Sequence, residues 1–95
     1  MGLEHDDTTL TADAIRAVTT APHFGSGGAR VLASVLLHCY NPDRYRLDIS
    51  DLCMLDRELV AMAWGVMRLR VAGVEPHQVI PGFDQVIEIY GEQQL

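Results

Sequence analysis

Apolar residues recur along most of this chain at steps of three and four, so the pattern predicts helices. The clearest run is Leu52, Leu55, Leu59, Met62, Val66 and Leu69. A second stripe, Val60, Trp64, Met67 and Val71, keeps the same rhythm on a neighbouring face. A helix apolar on most of its circumference belongs in the middle of a domain. The pattern therefore predicts a central buried helix over about residues 51–72, in which Trp64→Ala costs about 3–5 kcal/mol. Ala61 and Gly65, four residues apart, would let a partner helix come close. Arg68 and Arg70 suit the negative end of the helix dipole, and Gly73 is the natural residue just past it.

Three further helices surround that one. Leu10, Ala14 and Val18, with Ile15 beside them, make the first; Thr9 or Thr11 caps it, Asp13 favours its first turn, and Pro22 ends it. The second runs from Gly27 to about Tyr40 behind Ser26 as N-cap. It carries Val31, Leu32, Val35, Leu36 and Cys39 on one stripe and stops at Asn41-Pro42-Asp43. Asp48 or Ser50 then offers a cap before the long run, in which Leu52 to Leu55 make a short turn or a first helical turn, and Asp56 either starts a second segment or sits on the exposed side of one continuous helix. After Gly73 a short turn, His77 to Ile80, starts at Pro76. Pro81 opens the last helix, with Val79, Phe83, Val86 and Tyr90 on one face and Gly91 at its end. The reading is an all-α bundle of four main helices: an acidic flexible tail over 1–8, one domain over 9–91, and a frayed end over 92–95.

Composition fits one globular domain: 95 residues, 48% apolar and 21% charged. No apolar run reaches the roughly 18 residues that cross a membrane. The start, MGLEHDD, lacks the basic region of a secretory signal, which points to a cytoplasmic protein. The net charge is −6, and all seven basic residues are arginine. Without lysine there is no Schiff-base chemistry and no P-loop lysine. An acidic chain repels a phosphate backbone, so direct nucleic-acid binding is not expected, whereas a protein partner with a basic surface is. Cys39 and Cys53 have no metal spacing and read as reduced, buried thiols.

Candidate chemistry is sparse. Gly25-Ser26-Gly27 begins a dinucleotide fingerprint, but Arg30 stands where the third glycine is needed, and no strand precedes it. What survives is a helix start with Ser26, Gly27, Gly28 and Arg30 as an anion site, beside plain capping. His5, His23, His38 and His77 show no metal spacing, so no metal and no cofactor is expected. Asp48, Asp51, Asp56 and Glu58 lack the spacing of a calcium loop and read as caps and solvated face. No nucleophile, base and acid converge in a motif, so the chain is not read as an enzyme. Arg44, Tyr45 and Arg46 offer a stacking and hydrogen-bonding patch at an interface, or else a packed tyrosine between solvated arginines. Asp84, Glu88 and Glu92 share one side at four-residue spacing and would meet a basic partner. The nearly all-round apolar helix also leaves a homodimer open.

Several pieces together resemble a known family. They are Gly28-Ala29-Arg30-Val31 through Leu36-Leu37, Tyr40-Asn41, Leu47-Asp48-Ile49-Ser50-Asp51-Leu52 and Leu55-Asp56. The family is a small, uncharacterised helical one of proteobacteria, often encoded on mobile elements, and the resemblance spans roughly Ala14 to Tyr90. Cys53 departs from it where the family pattern has a large aromatic. The resemblance implies a compact helical protein of accessory genetic elements and transfers no catalytic residue. By analogy it implies a protein-binding inhibitor or adaptor, with an anti-CRISPR-like inhibitor as one concrete form.

Overall fold

The computed structural model describes residues 6–20 and 23–94, without the side chains of Val79, Gln93 and Gln94. Most of the expected tail, and the stop at Pro22, lie outside the described residues. The elements are α1 (Asp7–Thr19), α2 (Gly27–Tyr40), a 3-10 helix (Ile49–Met54), α3 (Arg57–Val71), α4 (Pro76–Val79), α5 (Phe83–Tyr90) and a C-terminal 3-10 turn (Gly91–Gln94). No strand occurs among the described residues, and the fold class is all-α as the periodicity predicts.

Side-chain caps set most of the boundaries. Asp6, not a threonine, caps α1 and accepts from the Thr9 amide at 2.7 Å. That bond holds the Asp6 carboxyl below its usual pKa. Thr11 lies inside the helix, buried, and donates to the Asp7 carbonyl at 2.8 Å. At the other end the Thr19 and Thr20 hydroxyls donate to the Ile15 and Arg16 carbonyls. The Thr20 amide also bonds the Arg16 carbonyl, and α1 ends where Thr20 turns extended, at φ −133° and ψ 159°. Ser26 caps α2 by accepting from the Ala29 amide, as expected.

The long run divides in two. Asp48 caps the 3-10 helix through Ser50, whose bonds lower the Asp48 pKa, and Asp56 caps α3 by accepting from the Leu59 amide. A carboxylate eight residues after another cap favours a new helix start over a helix interior. Leu55, between them, is extended at ψ 139°.

The division moves the centre of the domain. The most enclosed helix is α2: Leu32, Ala33, Val35, Leu36 and Leu37 have no accessible surface. It touches α1, α3, α4, α5 and the 3-10 helix. The cause is in its sequence, since Ser34 is the only polar residue from Val31 to Leu37. By contrast α3 carries Arg57, Glu58, Arg68 and Arg70 and buries one face only, through Leu59, Ala63, Gly65, Val66 and Leu69.

That face packs on α2 and, antiparallel, on α1. A Cβ built on Gly65 would lie 2.5 Å from the Leu10 Cβ, so bare backbone is needed where α1 crosses. Three residues along each helix, Arg68 reaches Asp7 at 3.0 Å. After α3, Gly73 takes φ +93° and Val74 donates to the Leu69 carbonyl, which ends the helix. Gly82 at φ +96° opens α5, one residue after the expected Pro81. Phe83, Val86 and Tyr90 then turn into the core.

Candidate functional site

The second apolar stripe faces solvent. Trp64 is 47% exposed, Val71 is 87% exposed, and Val60 and Met67 are half-buried between them. Leu59, Val66 and Leu69 occupy the buried side, so one helix carries two apolar faces and the fold covers only one. The Trp64 side meets α1 in an open groove of about 600 Å³, with Leu10, Ala61, Met62 and Trp64 as its apolar surface. Asp13, Arg57, Glu58 and Arg68 supply its charges. Arg68 is paired with Asp7, and Asp13 with Arg16 at 3.2 Å. Arg57 and Glu58 have no ion-pair partner among the described residues. An aromatic anchor with charges around an apolar floor is the composition of protein interfaces.

Trp64 thus departs from the expectation of a buried central residue. Trp64→Ala is expected to cost about 1–2 kcal/mol, well below the roughly 3–5 of a core aromatic. Urea denaturation of the two proteins measures the difference.

A second hollow of about 550 Å³ lies between the end of α2 and the end of α3, beside Leu47, Ile49, Met67 and Val71. Ile49 and Met54, both 66% exposed, extend the apolar surface along the 3-10 helix, which buries only Leu52. The Cys39 thiol stands in this hollow, half-buried; burial pushes its pKa up, with Arg70 pulling weakly the other way. A thiol so held is a poor nucleophile. Cys53, expected in the core, is exposed, because the short 3-10 helix from Ile49 to Met54 turns Leu52 inward in its place. His38 donates from Nδ1 to the Tyr45 carbonyl at 2.8 Å, which fixes its tautomer.

The sequence-derived candidates separate in space. Tyr45 is only 4% exposed; its ring lies 6.4 Å from that of Tyr40, and its hydroxyl accepts from Arg44 Nε at 3.2 Å. The Arg44-Tyr45-Arg46 patch is therefore a packed tyrosine with two exposed arginines. Asp84 and Glu88 lie exposed on successive turns of α5, and Glu92 follows, exposed, on the 3-10 turn. None of the three has an ion-pair partner among the described residues.

At the glycine-rich stretch, the Ser26 hydroxyl oxygen is taken by the Ala29 amide. Gly28 gives close approach to α3, since a Cβ there would lie 3.0 Å from Leu59 Cδ1. Gly25, at φ +78°, donates its amide to the Tyr90 hydroxyl at 3.1 Å. Gly27 and Arg30 are exposed. Three of the local groups thus serve the fold, and the stretch acts as cap, close contact and anchor point.

Among the described residues no group of three or more His, Cys, Asp or Glu side chains could hold a metal ion. No described helix is long and apolar enough to cross a membrane. No curated protein and no solved structure matches the chain. A family of unknown function, DUF7673, matches residues 11–94, from the first turns of α1 to the C-terminal 3-10 turn. With nearly the whole helical domain inside that match, the chain belongs to the DUF7673 family.

Proposed function

We propose that this protein is a protein-binding module, an inhibitor or adaptor that engages a basic surface on its partner. The observation that carries the reading is the acidic line of Asp84, Glu88 and Glu92, exposed and without ion-pair partners among the described residues. Three carboxylates at four-residue spacing on a chain of net charge −6 attract a basic surface and speed its approach. Two groups that enzymatic chemistry could use are disfavoured for it: His38 donates to a backbone carbonyl, and burial raises the Cys39 pKa. A cytoplasmic inhibitor encoded on a proteobacterial mobile element, anti-CRISPR-like in action, is one concrete form. The family resemblance and analogy support that form, not site chemistry.

The test is a pull-down from host lysate with the tagged protein and with the triple variant Asp84→Arg, Glu88→Arg, Glu92→Arg. The expected result is a partner retained by the native protein and released by salt. The variant, with an unchanged unfolding midpoint, should retain it at least about tenfold less. No retained partner, or equal retention by the variant, refutes the reading.

A further inference from the structure

We propose that a second copy of this chain covers the outward face of α3, the two α3 helices lying antiparallel about a two-fold axis beside Trp64. This face is a different one from the acidic line of Asp84, Glu88 and Glu92.

A chain of net charge −6 repels its copies in general, but this face is not acidic. On the groove side of its apolar stripe stand three carboxylates, Asp7, Asp13 and Glu58, and three guanidiniums, Arg16, Arg57 and Arg68; Arg70 stands beside Met67 and Val71 on the other side. Their order matters more than their sum. Glu58 lies six residues before Trp64 and Arg68 four residues after it. In an antiparallel pair centred one residue before Trp64, Glu58 of one copy meets Arg68 of the other, twice by symmetry. Asp7 is bonded to Arg68, so it arrives at the same level, beside Arg57 of the first copy. Each end of the contact is then a neutral quartet: Arg57 and Glu58 from one copy, Asp7 and Arg68 from the other. Arg57 and Glu58 are the two groove charges without an ion-pair partner among the described residues. Asp13, near the axis, is already neutralised by Arg16.

The apolar content is suited to the same axis. Trp64 lies beside its own symmetry mate, with Val60 and Met67 on either side. A self-complementary patch of this kind closes as a dimer. It also buries Val71 and half of Trp64, which the single chain leaves in water.

Sedimentation equilibrium of the full chain should give twice the chain mass of 10.5 kDa at high concentration and the single mass on dilution. Trp64 is the only tryptophan, so its emission should shift to the red over the same dilution. Glu58→Arg places two cations too many at each end of the contact, and Arg68→Glu two anions too many. Each is expected to weaken association at least about tenfold. Mixed in equal amounts, these two variants restore a neutral quartet at both ends, and the mixture should associate as the native protein does. Trp64→Glu, at an exposed position, should stay folded and monomeric. A single-chain mass at every concentration overturns the proposal. So does a Trp64→Glu variant that dimerises like the native protein, or a mixture no more associated than its components.

Discussion

Gly65→Val is expected to destabilise the fold by more than about 3 kcal/mol, a large fraction of what a small domain has. The new Cβ alone would overlap the Leu10 Cβ at 2.5 Å, and Leu10 cannot rotate that atom away because it is fixed to its own backbone. Helices α1 and α3 would have to separate, pulling Ala14 and Val66 out of the core and breaking the Asp7–Arg68 pair. The alanine variant decides between two opposing effects. In an exposed helix Gly→Ala gains up to about 1 kcal/mol. At Gly65 the overlap costs about 1–3 kcal/mol, so the net change is expected to be destabilising. Gly27→Ala is the control, because nothing lies within 4 Å of a Cβ built there. Chemical denaturation of the three variants measures this. A Gly65→Ala protein more stable than the native one would mean that α1 does not cross α3 at that residue.

Tyr90→Ala is expected to be nearly as damaging, at about 3–5 kcal/mol, and Tyr90→Phe to cost about 1–3 kcal/mol. Tyr90 is almost fully buried. Its hydroxyl donates to the Val18 carbonyl at 2.6 Å and accepts from the Gly25 amide at 3.1 Å. One oxygen therefore fastens the end of α1 and the glycine-rich turn to the last helix. Phenylalanine keeps the ring and removes both bonds, leaving the Val18 carbonyl facing an apolar edge. The difference between the two variants separates packing from hydrogen bonding. Amide exchange at Gly25 should rise in Tyr90→Phe; an unchanged rate would show that the turn is held by other contacts.

Local signals explain what could be read without coordinates. Helix existence was legible because caps and spacing agree: Ser26 before Val31, Asp48 before Leu52, Gly73 after Leu69. The break at Leu55–Asp56 was legible only as one of two readings, since the apolar spacing runs straight through it and only the capping strength of Asp56 opposes that pattern. The ranking of burial was misread for a related reason. Both stripes of α3 have helical rhythm, and rhythm does not say which stripe has a neighbour. The number of helices that come to lie against α2 and α3 is a property of the topology. The short, nearly uncharged stretch from Val31 to Leu37 was the available signal for α2. Ala61 and Gly65 pointed to a close helix contact, and Gly65 makes it with α1, while Ala61 stays exposed in the groove. Asp84, Glu88 and Glu92 are all exposed, which their local spacing on the polar side of the last helix already pointed to. Tyr45 was left between two readings, and Cys53 was misjudged, because each lies in or next to a connector, where sequence spacing carries little about direction.

The bonds of Tyr90 reach back across 65 and 72 residues. During synthesis α1 and α2 leave the ribosome while that tyrosine has yet to be made or is still in the exit tunnel. Until it emerges, the floor formed by α1 and α2 is open where Phe83, Val86 and Tyr90 will sit. The nascent chain thus passes through a stage in which its first helices exist but its core is uncovered on one side. A chain cut short just before Tyr90 would stay in that state, exposed to chaperones and proteases.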